Sequence, residues 1–287
     1  MSGDSFHHVR DFGFFELPGG HHIPLPEVFG LQITKFMVLQ VAAFLICLFV
    51  FNGLARRVSS GKPAKGRFWN FWEAIALYIR DEVVRPTIGD DHHDHAEDGH
   101  GESAHTVADH GAHPADQYLP FLWSCFFYIL ICNLLGAIPF LGSATASISV
   151  TAALALCAFV ATVVYGFQAM GPGGFFKNMM PDTGVPGAFG SGLTLGIFGI
   201  EIFGFFIKHG VLAVRLFANI MGGHTVLGVI LGFIAIQNAG WLWGPITLGS
   251  IGMQIFIGCL ELFVAFLQAY VFTFLATIFI AGAVHEH

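Results

Sequence analysis

Two unbroken apolar stretches near the end of the chain set the limits on any fold. Leu193 to Gln237 runs 45 residues without a proline, and Pro245 to Val284 runs 40. As helices at 1.5 Å per residue, each would be about 60 Å or more in length, against a bilayer core of about 30 Å. No polar turn divides either stretch, so each is expected to be one long helix, strongly tilted across the membrane. The connector Asn238–Gly244 would turn the pair into a hairpin, with Trp241 and Trp243 at the membrane interface.

The rest of the 287 residues supports a membrane setting. Apolar residues make up 55% of the chain and charged residues only 11%, against about 25% charged in soluble domains. That balance leaves no charged shell for a soluble core, and it excludes a disordered chain or a nucleic-acid binder. The five cysteines all lie in apolar stretches without a C-x-x-C pair, so they read as small buried hydrophobes. Three further spans are expected at Ile33–Leu54, Tyr118–Phe140 and Ala146–Ala169. Phe68 to Arg85 keeps near-helical apolar spacing but is too short and charged to cross, so it reads as an amphipathic helix in the interface, apolar face down. The fold class is therefore an all-α integral membrane protein with about five transmembrane helices and one interfacial helix. No secretory leader opens the sequence, so insertion is expected to rely on the spans themselves.

Seven of the twelve basic residues lie between Arg56 and Arg85, which puts that segment on the cytoplasmic side. Five spans then leave the N-terminus outside and the C-terminus inside. The organisation is an outer-side segment (1–32), a first span (33–55), a cytoplasmic basic and amphipathic segment (56–117) and a membrane domain (118–287). Residues 90–116 hold seven histidines among eight acids. Metal or proton buffering is one use for them, and a solvated insertion between helices is the other. The irregular spacing favours the insertion, and no metal site or cofactor is expected.

The chemistry concentrates in the two long helices, which carry Glu201, Lys208, His209, Arg215, His224 and Glu261. A charge at mid-membrane costs about 2.5–3.5 kcal/mol on insertion scales. Arg215 cannot shed its proton, whereas the carboxylates and imidazoles can exchange theirs. A buried Arg215–Glu261 ion pair would be one use, but buried pairs are often replaceable by apolar packing. Six ionisable groups point instead to a transport path. Glu201 lies about 21 Å before Arg215 along the helix axis, and His224 lies nine residues beyond it. On the returning helix Glu261 and Gln268 share a face. Protonatable groups thus flank a fixed cation, and a path so interrupted needs a moving carrier that this chain does not contain.

The stretch Arg215-Leu216-Phe217-Ala218-Asn219-Ile220-Met221-Gly222-Gly223-His224 resembles the signature of subunit a of F-type ATP synthases. Glu261 to Phe272 is similar to that subunit's last helix, Cys132 to Pro139 to its N-L-x-G-x-x-P segment, and His7-His8-Val9-Arg10-Asp11 to the start of bacterial members. The resemblance implies a ring of c subunits as the carrier, with Arg215 facing it between two half-channels. It implies an outer access path at Asn219, His224, Glu261 and Gln268, and a cytoplasmic carboxylate at Glu201. Some bacterial members carry an acid at the position of His224 and a histidine at that of Glu261, so the exchanged pair is expected to be close in space. Gly136 and Ser147 depart from members that carry Asp and Asn there.

These readings give a non-catalytic, proton-translocating subunit of the bacterial inner membrane. Its expected partners are c-ring subunits, peripheral-stalk b subunits and the rest of the synthase. No G-x-x-x-x-G-K-[ST] nucleotide loop occurs. The alternative, a self-contained proton-coupled secondary transporter, would be expected to show internal repeats and helices broken near Arg215. Neither is visible.

Overall fold

A computed structural model describes residues 14–17, 21–28, 31–58, 66–89, 113–138, 143–180, 188–234 and 243–285. The helices are α1 (Lys35–Val58), α2 (Arg67–Tyr78), α3 (Arg85–Gly89), α4 (Leu119–Gly136), α5 (Ile148–Asn178), α6 (Ala188–Ile234) and α7 (Trp243–Val284). Five of them, α1 and α4–α7, are long and apolar enough to cross a membrane. Ahead of α1 stand two minimal antiparallel hairpins, β1 (Phe14–Leu17) with β2 (His21–Pro24) and β3 (Glu27–Val28) with β4 (Leu31–Gln32). The sequence reading did not anticipate them.

The five spans fall where the apolar runs place them, with shifted ends. The third continues past its expected stop: Gly171 takes φ 74°, ψ 163°, and the helix resumes through Pro172 to Asn178. That backbone region is open essentially only to glycine, so Gly171 makes the kink and Pro172 restarts the helix. Its resumed turn packs Phe175 back against Gly166, where a Cβ would collide with the ring.

The amphipathic segment forms a rod: α2, a π-helical turn at Ile79–Val84, then α3. Pro86 has no amide to give the preceding turn, and the wider π turn ahead of it accommodates that loss. The Arg85 N–H bonds the Arg80 carbonyl across it. The rod lies antiparallel along α4, since Arg85 meets Asp116, the Trp123 indole donates to the Ala76 carbonyl at 3.0 Å, and the Trp72 ring lies on Phe127. Its buried stripe (Trp72, Ala76, Ile79, Val83, Val84, Ile88) thus faces protein, while Phe68, Phe71, Leu77 and Tyr78 stay exposed. The apolar side is shared between core and open surface.

Helices α6 and α7 pack as an antiparallel pair, fixed by His209 against Phe279 and His224 against Glu261. At about 70 and 63 Å, both greatly exceed the bilayer thickness. One end of the bundle is tied by His285: its carbonyl accepts from Asn178 Nδ2 at 3.1 Å and its Nε2 donates to the Ile88 carbonyl at 3.0 Å. The ends of α3, α5 and α7 therefore lie together. Of the expected 238–244 connector, Trp243 and Gly244 instead begin α7, while its residues 238–242, most of the 90–116 insertion and the opening 7–11 motif lie outside the described residues.

Candidate functional site

The site is built mainly on α6 and α7. On α6, Arg215 is exposed, and among the described residues it makes no ion pair or hydrogen bond. Around it, Val211, Val214, Val226 and Val229 are exposed too. The cation stands on an open, apolar face of a membrane-crossing helix. Such a position is expensive unless something of opposite charge comes to it.

Further along α6, His224 Nδ1 lies 3.2 Å from Glu261 Oε1 on α7, and both side chains are mostly buried. The proximity expected from the exchanged histidine and acid is present. The Arg215–Glu261 pair is not, because Glu261 turns to His224. The same Nδ1 hydrogen-bonds the Ile220 carbonyl one turn back at 3.1 Å, and the buried Glu261 Oε1 has no hydrogen-bond partner among the described residues. The carboxylate sits flush on the α6 backbone because residue 223 is glycine: a Cβ there would stand 2.8 Å from Oε1 and 3.1 Å from Cδ.

Behind Glu261 is a buried polar chain that sequence reasoning missed. Asn133 on α4 donates through Nδ2 to the Ala265 carbonyl of α7 at 3.4 Å, and its Oδ1 accepts from the Thr145 hydroxyl at 3.1 Å. Ser143 lies 2.9 Å from Thr145. Gly136 leaves room for this Ser143, whose Oγ would otherwise meet a Cβ. The available signal was Asn133 itself, an amide inside an apolar span. Gln268 is also buried, one face-repeat beyond Glu261, and Asn219 is half-buried one turn after Arg215.

On the other side of Arg215, Glu201 and Lys208 face each other across two turns of α6, 3.8 Å apart and half exposed. They open onto a cavity of about 530 Å³ between the C-terminal turns of α5 and α7 and the middle of α6, whose walls include Phe175, Asn178, Phe205 and Phe279. His209 is different: it is buried, with Nδ1 2.9 Å from the Phe205 carbonyl and Nε2 3.4 Å from the Thr162 hydroxyl. The structure thus brings His224 to Glu261 and Glu201 to Lys208, and brings neither pair to Arg215. Among the described residues no group of three or more metal-ligating side chains is found.

At the bundle end, Asp116 accepts two hydrogen bonds from Arg85, at 3.0 and 2.9 Å. They hold the Arg85 guanidinium above the ordinary arginine value.

Five apolar helices carrying two polar clusters on either side of an unpaired cation define an integral membrane protein with ionisable groups built into its spans. Residues 103–281 match the ATP synthase A chain family. The chain is 35% identical to ATP synthase subunit a of Anaeromyxobacter dehalogenans, over 98% of its length and 70% of that protein. It is 33% identical to ATP synthase subunit a of Chloroherpeton thalassium (99% and 77%) and 36% identical to ATP synthase subunit a 2 of Chlorobium luteolum (98% and 75%). The chain belongs to the ATP synthase subunit a family.

Proposed function

We propose that this chain is the stator subunit that conducts protons to and from the rotating c-ring of an F-type ATP synthase, in a bacterial inner membrane. Arg215 is the barrier between two half-channels. The observation that carries the reading is the unpaired Arg215 on an open helix face, with His224–Glu261 on one side and the Glu201–Lys208 cavity on the other.

In this mechanism a proton enters from outside through the region of Asn219, His224, Glu261 and Gln268. The His224–Glu261 contact lets the acid and the imidazole exchange it. It cannot proceed along α6 directly. A second positive charge about 4 Å from the guanidinium would be disfavoured by about 4 kcal/mol at an effective dielectric of about 20, roughly a thousandfold in population. A carboxylate on a c subunit takes the proton and carries it round. After the circuit it releases that proton into the Glu201 cavity, and the resulting anion passes Arg215 to be protonated again on the outer side. The chain supplies no nucleotide chemistry of its own, and peripheral-stalk b subunits hold it against the ring. The end carrying α3, Lys177 and His285 is the cytoplasmic one, and the N-terminus is outside.

The test is Arg215→Ala in the assembled complex, with ATP-driven proton pumping and passive leak followed in inverted vesicles. Loss of pumping with a new leak is expected. Pumping near wild type from an intact complex would overturn the barrier role.

A further inference from the structure

His209 takes no part in the proposed path, yet it occupies a distinctive place. It lies six residues before Arg215 on α6 and is only 3% exposed. Three phenyl rings enclose its imidazole: Phe159 of α5 at 5.3 Å between centroids, Phe205 of α6 at 4.8 Å and Phe279 of α7 at 4.7 Å. Two of these rings, Phe205 and Phe279, also wall the Glu201–Lys208 cavity. The collar therefore borders that cavity. The imidazole is held in it by the Phe205 carbonyl on its own helix and the Thr162 hydroxyl on the next.

Beyond the collar the interior is polar for a membrane protein. Thr162, Thr273, Thr277 and Gln268 are all buried. The Thr273 hydroxyl has no partner among the described residues, so a water reaching it would gain a hydrogen bond there. On α7, Thr277, Thr273 and Gln268 lie at successive heights between Phe279 and Glu261, with the two threonines on a different face from Gln268 and Glu261. Water admitted past the collar could reach these hydroxyls at heights between the inner cavity and the outer cluster without meeting Arg215.

We infer that His209, with Phe159, Phe205 and Phe279, is a seal that keeps water in the Glu201 cavity from the buried polar interior of α5–α7, so that protons cannot bypass Arg215. The inference rests on the proposed reading of that cavity as a proton route. An imidazole suits the task because it fills the collar while its two nitrogens bind α6 and α5 in place. It acts as a positioning and space-filling group and need not exchange its proton.

The experiment uses the whole synthase in vesicles, with assembly checked on the same membranes. Passive proton flux is measured under an imposed pH gradient with Arg215 intact, and ATP-driven pumping is measured in parallel. His209→Ala is expected to raise the passive flux several-fold. His209→Phe refills the collar without the hydrogen bonds and is expected to stay tight. Phe279→Leu also shortens the collar and is expected to leak, and it carries the test if His209→Ala does not assemble. Flux at the wild-type level in every assembled collar-shortening variant overturns the seal. So does a tight His209→Phe complex that has lost pumping, because His209 would then be carrying protons. Glu201→Gln tests the underlying reading separately. Impaired pumping there with tight His209→Ala vesicles condemns the seal alone, and unimpaired pumping condemns the cavity's role whatever the leak.

Discussion

Replacing Gly223 by alanine separates the geometry of the acid–imidazole pair from the stability of the helix that holds it. The new Cβ would stand 2.8 Å from Glu261 Oε1, where an ordinary contact begins at about 3.4 Å. The carboxylate is the far end of a flexible side chain, so it withdraws by roughly 0.6 Å and the backbone stays put. That movement lengthens the 3.2 Å His224–Glu261 contact to about 3.8 Å. Between the charged forms, at an effective dielectric of about 20, the attraction falls from about 5.2 to about 4.4 kcal/mol. A loss of about 0.8 kcal/mol is roughly a fourfold change in any equilibrium that depends on the pair, and partial exposure makes that an upper figure. The helix itself gains, because alanine is about 0.8–1.0 kcal/mol better than glycine in a helix interior. The expected result is an assembled complex of unchanged or higher thermal stability whose ATP-driven pumping is reduced up to about fourfold. Gly258→Ala, with open space around its Cβ, serves as the control and should pump normally. Full pumping by Gly223→Ala, or equal loss in Gly258→Ala, would refute the reasoning.

Asn133→Leu removes the only side chain among the described residues that joins α4 to the Ala265 carbonyl. It also takes one of the two partners of Thr145, and should lower stability by about 1–3 kcal/mol, read as a lower melting temperature of the complex. Gly171→Ala forces a Cβ into a conformation essentially reserved for glycine and should cost about 1–3 kcal/mol, seen in the same melt, with Gly173→Ala as the mild comparison. Arg85→Gln should cost at most about 1 kcal/mol, since the Arg85–Asp116 pair is partly exposed, and less in high salt. Because the folded-state pKa of Arg85 is raised, its contribution is present throughout the neutral and mildly alkaline range. It fades only as pH rises through that raised value, so a stability profile that dropped near neutrality would have another source.

The span count, the two overlong helices and the His224–Glu261 contact were legible because each rests on a coarse signal: run length, missing turns, or two complementary ionisable groups in apolar surroundings. Which side of each helix faces protein was not. In water a helix announces its buried stripe by contrast with a polar one, but here both sides are apolar. Phe203 on α6 is 68% exposed and Phe272 on α7 is 1% exposed, and nothing in their residue type distinguishes them. The same blindness hid the role of Gly223, which lies in its closeness to a carboxylate 38 residues away. The third span outruns its expected end at Ala169, although Gly171, Pro172 and Gly173 bend the chain there. One positive φ suffices for that bend, and the helix resumes. The rod at 67–89 was legible as amphipathic, but its partner was not, since α4 offers the same apolar surface that a membrane would.

The Arg85–Asp116 pair joins the two ends of the histidine- and acid-rich insertion, and Gly89 lies directly against the His113 ring. Chain ends that already meet make the covalent link between them almost dispensable. Doubling the length of such a link changes its closure free energy by only about 0.6 kcal/mol. The protein is therefore two interlocking pieces, α1–α3 and α4–α7, held by their shared core as much as by the backbone that joins them. Residues 90–112 are a place where the chain can be lengthened, shortened, tagged or cut, with the helices that carry Arg215 left on the far side of the break.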